Sequence, residues 1–205
     1  MSTTSSVGII GAGPVARGLA EVLGKAGYFV RVSSRTPKPS GRSSGPAVVS
    51  FVEAAEADII IFAVLHSASR GLAQLLAPQL AGKLVVDVDN AWRPGHYELA
   101  GLSESLTEGQ WMANLLPEAR VVRAFSHINW ELFGRGLERP GYWGAGYAAD
   151  DTRSIDEIEG LISDTGFVPV RVGTLAGSAS IDLGGVLWST LLQARHTEVL
   201  VQNAA

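Results

Sequence analysis

Cysteine is absent from the chain, which excludes disulfides and thiolate–metal sites. Long apolar runs are missing as well. The longest, Ile59–Leu65, is far short of the ~20 residues that span a bilayer. There is no excess of positive charge: 16 Lys and Arg stand against 20 Asp and Glu, a net charge of −4, which speaks against nucleic-acid and anionic-membrane partners. His96 and His196 have no companions at metal-ligand spacing, and no Ser-His-Asp arrangement stands out, so neither a metal site nor a hydrolytic triad is expected. Met1–Ser6 lacks the charged and apolar regions of a signal peptide and reads as a short lead-in, so a cytoplasmic protein is expected. What is present is a chain of 205 residues, 46% apolar. That is enough for one generous domain, or one domain with a small extra lobe.

Val7–Ile10 is an apolar run stopped by Gly11, which predicts a buried strand. Val15, Leu19, Val22, Leu23 and Ala26 then share one helical face, with Gly27 as a stop. Tyr28–Ser33 returns as a strand, completing a βαβ unit. Thr36–Pro46 is a loop. A short strand over Ala47–Phe51 and a brief helix over Glu53–Ala57 follow. Ile59–Val64 is a continuous apolar strand, buried on both faces. Ser67–Leu76 is a helix expected to stop near Pro78. Lys83–Val88 is a strand, Ser103–Leu115 a helix with Ser103 as N-cap, and Val121–Ser126 a further strand. Strands alternating with helices predict an α/β protein with a parallel, doubly wound sheet. The pattern changes near residue 130. A strand over Tyr142–Ala148, a helix over Thr152–Thr165, a strand over Val168–Val172 and a last helix over Ile181–Gln202, weakened by Gly184 and Gly185, make a second lobe. The expected division is 1–130 and 131–205.

Gly11-Ala12-Gly13-Pro14-Val15-Ala16 fits G-x-G-x-x-G/A. The pattern alone is weak, but here it follows a strand, opens a helix and lies in a βαβ unit, which is the context it requires. Gly11 allows the tight turn, Gly13 lets a pyrophosphate approach the backbone, and Ala16 keeps helix and strand close. The helix N-terminus offers free N–H groups to phosphates. An NAD site would carry an acidic residue at the end of the second strand. This chain has Ser33-Ser34-Arg35-Thr36, with Lys38 and Arg42 nearby. Hydroxyls and a guanidinium suit a 2′-phosphate, so the expected cofactor is NADP(H).

The stretch Val7–Ala16 followed by Ser33-Ser34-Arg35-Thr36 resembles NADP oxidoreductases that use coenzyme F420, a deazaflavin. Further segments match in order: Glu53–Asp58 leading into Ile59–Val64, Val85–Asn90, Leu116-Pro117 through Val121–Phe125, Asp150-Asp151, Gly166-Phe167 and Val172–Leu175. The resemblance implies a doubly wound parallel Rossmann sheet with a small C-terminal α/β lobe. It also implies direct hydride transfer between NADP(H) and a second substrate in the cleft between lobes, and a homodimer. The chain departs from the family pattern at Ala91-Trp92-Arg93-Pro94, at Phe125-Ser126-His127-Ile128 and at Leu65-His66-Ser67. All three positions flank the cleft, so the second substrate stays open between F420 and an imine, alkene or carbonyl. A non-catalytic NADP(H)-binding sensor is a third reading.

The expected cofactor-binding set is Gly11, Ala12, Gly13, Pro14, Val15, Ser33, Ser34, Arg35, Thr36, Lys38, Ala63, Val64, His66 and Asn90. His127 is the candidate proton donor; orienting the nicotinamide or sitting as a satisfied buried histidine are its alternatives. Asp87 and Asp89 share a strand face, as an acidic pair or as loop anchors. Trp92, Trp130 and Trp143 are cleft or dimer candidates.

Overall fold

The structure, a computed structural model, describes residues 5–37, 46–93, 96–99 and 106–204. The chain opens with β1 (Ser6–Ile10), α1 (Pro14–Lys25), β2 (Phe29–Ser33) and β3 (Ala47–Val49). Next come α2 (Phe51–Ala54), β4 (Ile59–Phe62), α3 (His66–Leu80) and β5 (Leu84–Asp87). A two-stranded antiparallel ribbon follows, β6 (Trp92–Arg93) with β7 (His96–Leu99). The remainder is α4 (Glu108–Leu115), β8 (Arg120–Ala124), α5 (Gly134–Glu138), β9 (Gly144–Ala149), α6 (Thr152–Asp164), β10 (Val168–Gly173) and α7 (Ala194–Ala204). Two 3-10 turns, Trp130–Leu132 and Leu175–Ser180, link the later elements.

Among the described residues, eight strands form one sheet in the order β10-β9-β8-β5-β4-β1-β2-β3. The six from β3 to β8 run parallel, as the strand–helix alternation predicts. β9 joins antiparallel to β8, and β10 lies parallel to β9. The elements after residue 130 thus extend the same sheet. Each central strand is apolar on both faces and feeds two cores. Val7, Ile9, Ile61, Val86 and Val122 pack against the Leu19–Leu23 face of α1 and against Ile158, Leu161 and Ile162 of α6. Ile10, Ile60, Phe62 and Val85 pack on the other side against Ala73, Leu76 and Leu80 of α3 and Met112 of α4. Burying helices on both faces is what makes a parallel sheet stable.

The strand order reverses between β1 and β4, where the crossovers pass to opposite faces. A crevice opens at the carboxyl ends of the strands at such a point. No described helix is long and apolar enough to cross a membrane.

Several element bounds differ from expectation. α3 continues through Pro78 to Leu80. Proline removes one helical hydrogen bond, but here it sits in the final turn, and Leu80 beyond it is fully buried. α4 is capped by Thr107, whose side chain accepts from the Gln110 N–H in a capping box; Ser103 lies outside the described residues. β8 ends at Ala124 because Phe125 turns into the left-handed region (φ 60°). The expected helix over Ile181–Gln202 is correct only from Ala194. Gly184 (φ 83°) and Ser189 (φ 55°) break helical geometry before it, so residues 181–193 run as turns that pack on β9 and α4.

Candidate functional site

β1 ends at Ile10 with its carbonyl paired to the Ala63 N–H, and the chain turns at once into α1. Gly11 has φ 130°, and a Cβ there would meet the Ala63 carbonyl oxygen at 2.1 Å; only glycine makes this turn. Gly13 faces the opposite situation. A Cβ built on it meets nothing within 4 Å, so the backbone lies open to whatever approaches. Gly13 is also the N-cap of α1. It makes no side-chain cap hydrogen bond, and Pro14 occupies the first turn. The next N–H groups are left without helical partners and carry the positive end of the helix dipole. An open backbone over an uncapped helix start is a cradle for phosphate.

A cleft of about 990 Å³ runs across this turn, at the upper end of ordinary ligand sites. Its walls bring together Gly11–Val15, Ser33–Thr36, Ala63, Val64 and Asn90, most of the residues that the sequence nominates. Ser33 is fully buried. Its hydroxyl donates to the Ile9 carbonyl at 2.9 Å and accepts from the Gly11 N–H at 3.2 Å, so it ties the end of β2 to the glycine turn. The Ser34 N–H donates to the Val49 carbonyl, and its hydroxyl accepts from the Thr36 N–H at 3.2 Å. This leaves Arg35 and Thr36 exposed at one end of the cleft, and no ion pair to Arg35 forms among the described residues. Lys38 and Arg42, and the side chains of Trp92 and His96, lie outside the described residues.

Two nominated histidines are not at the cleft. His66 opens α3 but turns inward. It stacks on Trp111 at 4.2 Å between ring centroids, and its Nδ1 lies 3.4 Å from Asp89 Oδ2. His127, nominated as proton donor, is 2% exposed. Its Nε2 accepts from the Gly146 N–H of β9 at 2.9 Å, so the ring proton of the neutral form sits on Nδ1. Nδ1 faces the Leu187 and Thr190 carbonyls without reaching hydrogen-bonding geometry with either. Burial pushes the imidazole pKa down to about 4, and the Arg123 charge adds to this. A neutral, enclosed ring whose outer nitrogen is already engaged fits the buried, structural alternative. Trp143 is also away from the cleft, edge-on against Tyr142. Trp130 does line it and is 44% exposed.

Sequence reasoning missed two features. Phe51, at the start of α2, and Leu72 of α3 line the apolar wall. The larger omission is a charged cluster beneath the far end. Arg123 is fully buried and binds three carboxylates: Asp87 at 3.1 Å, Glu108 at 2.8 Å and Asp182 at 2.8 Å. Asp87 and Asp89 do not act as a pair. Asp87 faces Arg123 and accepts from the Asp89 N–H, while Asp89 accepts from the Ser69 hydroxyl at 2.6 Å. Burial raises the Asp87 and Glu108 carboxyls above the ordinary range even against the Arg123 charge. The available signal was an arginine inside the apolar run Val121–Phe125. A lone interior charge demands partners.

Residues 6–91 match the family model described as NADP oxidoreductase, coenzyme F420-dependent. Metalloreductase STEAP3 of Rattus norvegicus is 33% identical over 86% of this chain, and the chain spans 35% of that protein's length. Among solved structures, a hypothetical protein of Sinorhizobium meliloti is similar with a TM-score of 0.79 at 26% identity, over 92% of this chain and 95% of that one. A candidate F420-dependent NADP reductase of Arthrobacter sp. FB24 shares the fold, with a TM-score of 0.69 at 21% identity over 83% and 86% of the two chains. Over residues 6–91, the chain is similar to the family of coenzyme F420-dependent NADP oxidoreductases.

Proposed function

We propose that the protein is an NADP(H)-dependent oxidoreductase that moves a hydride between NADPH and a small molecule held in the same cleft. The observation that carries this reading is one continuous cleft with an open, uncapped helix start at its centre and Ser34–Arg35–Thr36 at one end. The N–H groups at the start of α1 hold the pyrophosphate. The Arg35 guanidinium and the hydroxyls of Ser34 and Thr36 hold the 2′-phosphate, where an NAD site would present a carboxylate. Val88, Asp89, Asn90 and Trp130 form the other end, across the strand ends from Arg35. The bound dinucleotide supplies the hydride, and the chain's contribution is to position both partners and exclude water.

Coenzyme F420 is the second substrate this reading favours. Trp130 and Leu65, 44% and 52% exposed, line the cleft as apolar surfaces, suited to a flat fused ring. The proton that F420, an imine or a carbonyl takes up together with the hydride does not come from His127, which is buried away from the cleft. NADPH mixed with oxidised F420 and the protein should show loss of both absorbances together. Tight NADPH binding without exchange would remove F420, and a panel of imines and enones then separates another reductase from a sensor.

A further inference from the structure

A guanidinium has five N–H groups and no acceptor. In Arg123 all five are engaged on separate acceptors. Nε donates to Asp182 Oδ1 at 2.8 Å. Nη1 donates to Asp87 Oδ2 at 3.1 Å and to the Asp89 carbonyl. Nη2 donates to Glu108 Oε2 at 2.8 Å and to the side-chain oxygen of Asn90 at 3.0 Å. The last of these settles an orientation. An amide can be turned either way, but only its oxygen can face a group that solely donates. Asn90 Nδ2 therefore faces the other way, where it donates to the Ser126 carbonyl at 3.1 Å, a group that solely accepts. Both neighbours demand the same orientation.

The Ser126 carbonyl is itself set. Phe125 before it holds φ 60°, an unfavourable backbone for a side chain with a Cβ. The Ser126 hydroxyl is tied to the Ile181 carbonyl at 3.0 Å. Asp182, beside Ile181, holds Arg123. It also accepts from the Glu108 N–H at 3.1 Å and from the Ser178 hydroxyl at 2.9 Å. The turn at 181–182 thus anchors both groups that fix Asn90. Asn90 lines the cleft, and its second Nδ2–H has no protein partner among the described residues.

We propose that Arg123, anchored by Asp182, is a positioning residue that locks the Asn90 amide so that it presents an N–H donor to a ligand carbonyl at the hydride end of the cleft. The inference rests on the NADP(H) reading above. Two carbonyls have the right chemistry: the nicotinamide carboxamide and a ring carbonyl of the second substrate. Lysine cannot replace the arginine, because an ammonium is a point charge without a fork.

The test compares wild type with Asn90→Ala, Arg123→Lys, Asp182→Asn and the double variants that combine each of the last two with Asn90→Ala. Each is titrated calorimetrically with NADPH and with adenosine 2′,5′-bisphosphate, which lacks the nicotinamide, and assayed for KM and kcat with F420. Failure of wild type to bind either nucleotide would count against the cofactor reading itself. With wild-type binding established, each single variant should lose several-fold in NADPH affinity, leave the bisphosphate unchanged, and add nothing once Asn90 is alanine. A several-fold rise in KM for F420 at unchanged NADPH affinity, with the same non-additivity, assigns the donor to the second substrate instead. Equal loss of both nucleotides, additive double variants, or no change in either measurement overturns the proposal. Should Arg123→Lys fail to fold, the Asp182→Asn pair carries the same comparison.

Discussion

The buried imidazole of His127 makes the stability of this protein depend on pH in a defined window. The folded chain keeps the ring neutral down to a pKa of about 4, whereas an unfolded histidine protonates near ~6.5. Between these values unfolding takes up a proton, so stability falls as the pH is lowered from ~6.5 to ~4 and is constant in this respect above ~6.5. The difference of about 2.5 pKa units corresponds to about 3 kcal/mol at about 1.4 kcal/mol each. That is a large share of the ~5–15 kcal/mol that keeps a domain folded. Carboxylates elsewhere also titrate in acid, so the measurement must be a difference. His127→Gln keeps an acceptor within reach of the Gly146 N–H and removes the titration. Urea unfolding of both proteins at intervals from pH 7 to pH 4 yields the gap in stability at each pH. The gap should favour wild type most at pH 7 and shift by about 3 kcal/mol toward the variant by pH 4. A gap that stays flat across the window would refute the argument, because it would mean that His127 ionises equally in both states. The imidazole resonances, followed by NMR in the folded protein, check the same point directly.

Other expectations concern the cleft. Arg35→Asp should weaken NADPH by roughly ten- to a hundred-fold, the worth of one charge-assisted hydrogen bond, and change NADH far less; equal effects on both would dismiss the 2′-phosphate assignment. Gly13→Ala should leave the melting temperature nearly unchanged but reduce NADPH affinity, because the new methyl group enters open space where a phosphate approaches. Gly11→Ala should instead unfold at markedly lower temperature, since its methyl group would sit 2.1 Å from the Ala63 carbonyl oxygen, and equal melting temperatures for the two variants would contradict the turn geometry. Trp130→Ala should raise KM for the second substrate several-fold while NADPH binding and stability hold within about 0.5 kcal/mol, as for a surface substitution; a matching loss of NADPH affinity would place the ring against the cofactor instead.

Much of the cofactor half was legible because its determinants are local. The apolar run ending at Gly11, the helical stripe from Val15 to Leu23 and the polar Ser34–Thr36 turn all act over a few residues. Backbone geometry converts such spacing directly into a strand, a helix and the turn between them. The parallel sheet followed from the alternation of these units. Where local signals conflicted, the reading failed: Pro78 suggested a stop that burial of Leu80 overrides, and the apolar spacing after Ile181 suggested a helix that Gly184 and Ser189 break.

The Asn90 end of the cleft was decided by tertiary structure. Arg123 meets Asp182 across 59 positions of sequence, and Asn90 meets Ser126 across 36. His127 meets Gly146 only because β9 joins the sheet antiparallel to β8. No periodicity encodes such pairs. They arise because burying a charge or an imidazole leaves a polar demand that the nearest strand or turn in space, not in sequence, must satisfy. Gly11–Ala16 determined by itself the turn from β1 into α1; which way the Asn90 amide faces, and that His127 is enclosed, depended on how the whole sheet assembled.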